Sequence, residues 1–287
     1  FDPTGILNPG VIINDDPRVF IQNMKQVPDA HPIIDKCIEC GFCEVSCPSK
    51  NLTLTPRQRI VAYRHIANPP SGKSNRKSLL KEIKAISYPM DETCATDGLC
   101  GIACPVNIDT GVLIKELRWK RHGKIANLAA DIVANHMAGL TSMVRGVLPL
   151  PHALAKAVGY PSLERMMRGI HRASDGLFPL WTRHTPTGGK KVKSDYYPTD
   201  QPESPEVVYF PSCVTRMMGG TDTMLTLLHE AGFTVIIPER REEQCCGMAF
   251  NSKGFRKQAR KKEQALNDAL LKASRNGALP ILFDMSP

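Results

Sequence analysis

The sequence has few aromatic residues and no long hydrophobic run, and each of these absences argues against a class of function. Aromatic side chains make up 6% of the chain, whereas proteins that bind single-stranded nucleic acid use aromatic side chains to stack the bases. The longest run without a charge lies around Ile132 to Val144, which is too short to span a bilayer. The N-terminal residues do not form a signal peptide. We therefore expect a cytoplasmic chain with no transmembrane helix and no nucleic acid as partner.

What the sequence does have is ten cysteines, and seven of them fall in two related motifs. The motifs are Cys37-Ile-Glu-Cys40-Gly-Phe-Cys43-Glu-Val-Ser-Cys47-Pro48 and Cys94-Ala-Thr-Asp97-Gly-Leu-Cys100-Gly-Ile-Ala-Cys104-Pro105. When the two are aligned, Asp97 takes the place of Cys40. In a long chain without a signal peptide, this spacing favours metal-binding thiols in a reducing compartment over a disulfide framework.

The motifs resemble those of two-cluster ferredoxins, in which the cysteine before the proline ligates the other cluster. The resemblance implies a [4Fe–4S] cluster with four thiolate ligands: Cys37, Cys40, Cys43 and Cys104. It implies a second cluster with three thiolate ligands and one candidate carboxylate ligand: Cys47, Cys94, Cys100 and Asp97. With a carboxylate ligand, the second cluster would be a [3Fe–4S] cluster or a labile [4Fe–4S] cluster.

Two alternatives to these assignments stay open. Asp97 could be only a turn residue before Gly98, since Asp-Gly is a common turn pair. The cysteines could bind zinc, but a zinc site usually takes four ligands from two separated Cys-x-x-Cys pairs. Seven cysteines with two Cys-Pro endings fit that pattern poorly.

The residues around the motifs predict helices. Thr55 and Pro56 are typical of an N-cap and a first helical residue, and the helix would extend to about Ala67. Further helices are predicted around residues 78–87, after Thr110, and over 124–170. The last region is predicted to break at Pro149, Pro151 and Pro161. The first cysteine motif, a helix with Tyr63-Arg64 and the spacing Cys94-x5-Cys100-x3-Cys104-Pro105 follow one another in the chain. This order resembles the iron–sulfur subunit of succinate dehydrogenase and fumarate reductase. That resemblance implies an all-α, alpha-helical ferredoxin domain over residues 30–184 and a three-iron second cluster.

The C-terminal part predicts a different fold. Strands at 207–210, 234–237 and 280–283 alternate with helices, which indicates a short parallel sheet. The remaining cysteines follow the first two strands: Cys213, Cys245 and Cys246. This arrangement resembles the cysteine-rich CCG domain of heterodisulfide reductase, and implies a partial α/β CCG domain over 206–287 that could bind a third cluster. The alternative is three reduced structural thiols. Residues 185–205, rich in proline, glycine and lysine, predict an interdomain linker.

The first ten residues, Phe1-Asp-Pro-Thr-Gly-Ile-Leu-Asn-Pro-Gly10, resemble the closing segment of FAD-linked oxidase domains. Residues 1–29 would then be the tail of such a domain and a linker, and the chain would be part of a longer protein. Together the resemblances imply the electron-transfer part of an FAD-linked D-lactate or D-2-hydroxyacid dehydrogenase. Its flavin domain would hold FAD outside this chain, and a quinone or a cytochrome would accept the electrons. We expect the chain alone to bind no FAD and to turn over no substrate.

Two other functions stay open. One is a separate iron–sulfur subunit of glycolate oxidase or of anaerobic glycerol-3-phosphate dehydrogenase. The other is a non-enzymatic basic iron–sulfur protein that binds nucleic acid. The formal net charge is +9, and from Lys50 to Lys124 there are 14 Lys and Arg against 6 Asp and Glu. This positive field would raise the cluster potentials and would suit peripheral attachment to an anionic membrane surface at its inner face.

Overall fold

The computed structural model describes residues 2–4, 6, 9–10, 14–22, 27–69, 76–176, 178–199 and 204–284. Parts of two predicted segments, the flavin-domain tail (1–29) and the linker (185–205), lie outside these residues. The chain divides into two compact units, Phe1–Ile114 and Lys115–Pro287. Among the described residues, no helix has the length and apolar character needed to cross a membrane.

Unit 1 is helical. Its elements are a 3-10 turn (Val19–Ile21), α1 (Phe42–Val45), α2 (Pro56–Ala67), α3 (Arg76–Ser87), a π-helical turn (Tyr88–Glu92), α4 (Leu99–Ile102) and the first turn of α5 (Thr110–Arg121). The start of α2 confirms the prediction. Thr55 and Gln58 form a capping box in which the Gln58 N–H donates to Thr55 Oγ1 at 3.4 Å and the Thr55 N–H donates to Gln58 Oε1 at 2.9 Å. Pro56 occupies the first helical position, where no intrahelical N–H is needed.

Unit 2 contains the remaining helices and the sheet. After α5 come α6 (Lys124–Asn135), α7 (Met137–Val147), α8 (Pro149–Val158), α9 (Tyr160–Ala173), α10 (Cys213–Met218), α11 (Thr221–Glu230), a 3-10 turn (Arg241–Glu243), α12 (Met248–Ser252) and α13 (Arg256–Ala273). The predicted breaks were placed slightly wrongly. Pro149 and Pro161 lie in the first turns of α8 and α9, because a proline there loses no helical hydrogen bond. The preceding helices, α7 and α8, end at Val147 and Val158, two and three residues before these prolines, and Pro151 lies inside α8 without breaking it.

The sheet has four strands in the order β1-β3-β2-β4. They are β1 (Tyr196–Tyr197), β2 (Glu206–Phe210), β3 (Thr234–Ile236) and β4 (Ile281–Phe283). Central β2 runs parallel to both β3 and β4, which confirms the predicted parallel pairing. Side chains of β2 alternate between two cores: Val207 and Tyr209 pack with Leu228 of α11, and Val208 and Phe210 pack with Leu266 and Leu270 of α13. Helices therefore cover both faces of the sheet, as its continuous apolar strands require.

The grouping of the chain differs from the predicted domains. Helices over 124–173, expected to extend the ferredoxin domain, belong to unit 2: Ala130 and Ala134 of α6 share a core with Ala259 of α13. Described residues of the predicted linker also belong to unit 2. Val192 is buried in the core beside the sheet, and Tyr196–Tyr197 pair with β3 in an antiparallel edge strand. A few apolar side chains within a polar stretch are enough to attach it to the sheet, and composition alone hides them.

Candidate metal centres

The two cysteine motifs fold into loops with the same backbone. In each loop the chain adopts left-handed φ angles at two positions: Glu39 (60°) and Gly41 (85°), and Thr96 (55°) and Gly98 (79°). Gly41 and Gly98 then lead into the short helices α1 and α4. Glycine tolerates this conformation because it has no Cβ. The matching angles place Asp97 at the backbone position that Cys40 occupies in the first loop.

Four thiols line a first pocket: Cys37, Cys40, Cys43 and Cys104. Three come from the first motif and one from the second, which is the set that the ferredoxin resemblance implies. Apolar side chains of Ile60 and Ile108 complete the wall, so the pocket is partly shielded from water. Burial raises the pKa of the Cys43 thiol. Cluster assembly here must therefore release the proton of the Cys43 thiol.

Three thiols and Asp97 line a second pocket: Cys47, Cys94, Cys100 and Asp97. Burial, together with the nearby Asp109 carboxylate, raises the pKa of the Cys100 thiol to about 11. Asp97 itself is exposed, and its Oδ1 accepts a hydrogen bond from the Leu99 N–H at 3.1 Å. The side chain thus lies at the pocket and also closes a turn, so both interpretations of Asp97 find support. Thr110, at the start of α5, lines both pockets, which therefore share a wall.

Buried arginines of α2 hold the loops around these pockets. The Arg64 guanidinium donates to the carbonyls of Ile34 (3.2 Å), Asp35 (3.3 Å) and Cys37 (3.1 Å) and pairs with Glu39 at 3.1 Å. It fixes the backbone that presents Cys37 and Cys40. The count of charged residues between 50 and 124 did not reveal this role, because it treated every Lys and Arg as part of one positive field. Arg59, Arg64 and Arg118 are in fact buried. Their positions on the buried faces of α2 and α5 were the sequence signal that could have predicted their burial.

The thiols and the carboxylate of the two pockets are arranged in a way that suits iron–sulfur clusters better than a single metal ion. Within the residues that the structure describes, no three His, Cys, Asp or Glu side chains come together closely enough to hold one metal ion. A tetrahedral zinc site needs four ligands around one point. In an iron–sulfur cube each thiolate binds a different iron, so its ligands surround a larger volume. Four thiols around one pocket, and three with a carboxylate around the next, suit that requirement.

The remaining cysteines meet at the carboxyl end of the sheet in unit 2. Cys213 follows β2, and Cys245 and Cys246 follow β3. The Cys245 thiol lies close enough to Cys213 and to Cys246 to interact with both. The interaction with the Cys245 thiol, helped by the charge of Arg216, lowers the pKa of Cys213 to about 7. Three thiols that the sequence places at strand ends are thus brought together.

Arg216 and Asp284 hold these thiol loops in place. The Arg216 side chain has no exposed surface, and its guanidinium donates to the carbonyls of Ser212 (3.3 Å), Gln244 (2.5 Å) and Arg241. It ties the loop before Cys213 to the loop before Cys245. Asp284, directly after β4, accepts from the Ser212 N–H and the Tyr209 hydroxyl, both at 2.7 Å. Neither residue was a predicted site residue.

Comparison with known proteins agrees with the first two pockets. Residues 33–108 match the family model of the 4Fe-4S dicluster domain. The chain is similar to the probable glycolate oxidase iron-sulfur subunit of Bacillus subtilis (strain 168), with 22% identity over 235 residues. The alignment covers 76% of this chain and 50% of the relative, so the chain spans about half the length of that protein. No solved structure matches the chain. Both cysteine motifs lie within the matched residues, which supports a 4Fe-4S dicluster arrangement in unit 1.

Proposed function

We propose that unit 1 holds two iron–sulfur clusters and that the chain is the electron-transfer part of a flavin-dependent 2-hydroxyacid dehydrogenase. One observation carries the proposal: each pocket takes thiols from both motifs, as the ligand exchange of two-cluster ferredoxins requires. The proposed ligands are Cys37, Cys40, Cys43 and Cys104 in the first pocket, and Cys47, Cys94 and Cys100 with Asp97 in the second. The dicluster match over residues 33–108 supports them.

The chain's own residues would do three things in this role. The thiolates bind the clusters, which accept and release one electron at a time when bound. Arg64 holds the loop that carries Cys37 and Cys40. The shared wall at Thr110 keeps the two pockets adjacent, so that an electron has only a short way to pass between them.

The proposal also names a substrate, an electron donor and an electron acceptor. D-lactate is favoured by the likeness of residues 1–10 to FAD-linked oxidase domains, with a flavin domain as donor and a quinone or cytochrome as acceptor. Glycolate is the second candidate, favoured by the printed name of the Bacillus subtilis relative. We also propose that Cys213, Cys245 and Cys246 supply part of a third iron–sulfur cluster site, in which each thiolate would bind a different iron, because the Cys245 thiol lies next to both of the others.

Anaerobic reconstitution of the chain with iron and sulfide tests the core of the proposal. We expect two clusters per chain with distinct EPR signals, and no retained FAD. Stoichiometric zinc without sulfide in the purified protein would contradict it. Turnover of the flavin-containing parent enzyme with D-lactate and with glycolate, using quinone and cytochrome acceptors in turn, decides the substrate and the acceptor.

Asp97→Cys is expected to convert the second cluster into a stable four-iron cluster. A thiolate holds iron more firmly than a carboxylate, which is a harder ligand. The variant should therefore lose the oxidised three-iron EPR signal and show a lower potential for that cluster. EPR of air-exposed and anaerobic samples measures the loss of the signal, and a redox titration followed by EPR measures the potential.

Asp97→Asn is the matched control. Its amide oxygen can still accept from the Leu99 N–H and preserve the turn, but it removes the carboxylate. We expect this variant to keep the three-iron signal. If Asp97→Cys also keeps that signal after anaerobic reconstitution, position 97 points away from the cluster and Asp97 is only a turn residue.

A further inference from the structure

The first turn of α2 sends one arginine to each pocket. Arg57 lines the pocket of Cys37, Cys40, Cys43 and Cys104, and Arg59 lines the pocket of Cys47, Cys94 and Cys100. The two cations are two residues apart on one helix. They nevertheless meet very different surroundings.

Arg59 is a buried cation in contact with a proposed ligand. Its side chain is 1% exposed, and its guanidinium donates to Cys47 Sγ at 3.7 Å, to the Met90 carbonyl at 3.0 Å and to Thr93 Oγ1 at 3.2 Å. Among the described residues, none of these partners is a carboxylate. Within the described part of the chain, the charge of Arg59 is thus held next to the Cys47 sulfur without a carboxylate in hydrogen-bond contact.

Arg57 is placed quite differently. Its Nε donates to Glu44 Oε1 at 2.8 Å, and its side chain is 35% exposed. The carboxylate offsets its charge, and water screens what remains. The Glu44 carboxylate also accepts from Thr55 Oγ1 at 2.8 Å, so that this ion pair belongs to the cap of α2.

We propose that Arg59 sets the reduction potential of the second cluster, and that Arg57 has little influence on the first. The inference rests on the proposed function, because it needs a cluster in each pocket. An added electron makes a cluster more negative, and a hydrogen bond to a ligand sulfur stabilises that charge. A buried cation acts more strongly than an exposed one, because the surrounding dielectric is lower. Arg59 is therefore a positioning residue that raises the potential of its own cluster.

The test is a redox titration of the full chain, reconstituted anaerobically and followed by EPR for each cluster separately. Arg59→Gln is expected to make the second cluster at least tenfold harder to reduce, which corresponds to a downward shift of about 59 mV for one electron. The first cluster should keep its potential. The potential of each cluster in the variant is compared with the potential of the same cluster in the wild type. A difference in the number of irons between the two clusters therefore does not affect the result.

Arg57→Gln is the matched control, and we expect it to leave both potentials close to wild type. Arg59→Lys keeps the charge but cannot make all three contacts of the guanidinium, so its shift should be smaller than that of Arg59→Gln. If Arg59→Gln fails to retain the second cluster, Arg59→Met removes the same charge while it preserves the apolar stem, and an unchanged potential of the second cluster in that variant overturns the inference. Equal shifts for Arg57→Gln and Arg59→Gln also overturn it. Failure of the proposed function is a different result: the wild-type chain would then assemble no clusters.

Discussion

Cys104→Ser is expected to remove the first cluster, although Cys104 lies in the second motif. Its thiol lines the pocket of Cys37, Cys40 and Cys43, and a serine oxygen is a poor substitute for a thiolate on iron. The variant should lose about half of the bound iron, because one cluster of two is lost. Iron and sulfide analysis with EPR of the reconstituted chain measures the loss.

Cys47→Ser provides the reciprocal control. Cys47 belongs to the first motif but lines the pocket of Cys94 and Cys100, so its replacement should damage the second cluster. If Cys104→Ser instead abolishes the signal of the second cluster and spares the first, each motif holds its own cluster and the proposed ligand sets are wrong.

Arg216→Met is expected to lower the free energy of unfolding of unit 2 by about 2–4 kcal/mol, because three hydrogen bonds from a buried guanidinium are lost and the Gln244 carbonyl is left without its donor. The three acceptors are the carbonyls of Ser212, Arg241 and Gln244. Methionine preserves the length and much of the apolar stem of the side chain, so that the change isolates the guanidinium. Burial also lowers the pKa of Arg216, which shows the cost of keeping this charge away from water.

Urea denaturation of the full chain, followed by tryptophan fluorescence, measures this effect. The sequence has two tryptophans, Trp119 and Trp181, and both lie in unit 2. Arg240→Met is the control in the same unit, since Arg240 is exposed and pairs with Glu243 at the surface. A surface ion pair contributes about 1 kcal/mol or less. Equal losses for the two variants would show that the Arg216 contacts contribute little to stability.

Local sequence signals predicted much of this structure. Thr55 and Pro56 determine the start of α2 through hydrogen bonds within a few residues, and the continuous apolar run of β2 indicates a strand covered on both faces. The likeness of the cysteine motifs to two-cluster ferredoxins predicted the same grouping of thiols that the two pockets show, and their role as cluster ligands stays a prediction. In each case the residues that decide the outcome are near one another in sequence or follow a pattern of fixed spacing.

Other features depend on partners far away in sequence. The burial of Arg59 requires the Met90 carbonyl and the Thr93 hydroxyl, and the burial of Arg216 requires backbone from the loop before Cys245. No composition or periodicity identifies such acceptors. Val192 was missed for a similar reason, because one apolar residue in a polar stretch gives no period, although it packs in the core beside the sheet.

The exchange of thiols between the motifs also has a consequence for folding. A cluster in either pocket joins two chain segments and closes a loop of roughly 50 to 60 residues, for which the loss of unfolded-chain entropy contributes about 4 kcal/mol. Under the proposed function, each cluster would therefore act as a cross-link that stabilises the whole of unit 1 as well as carrying electrons. Without iron both cross-links would be absent, and the unfolded form of this unit would become more populated. We would then expect residues 37–104 to be cleaved faster by proteases when iron is scarce.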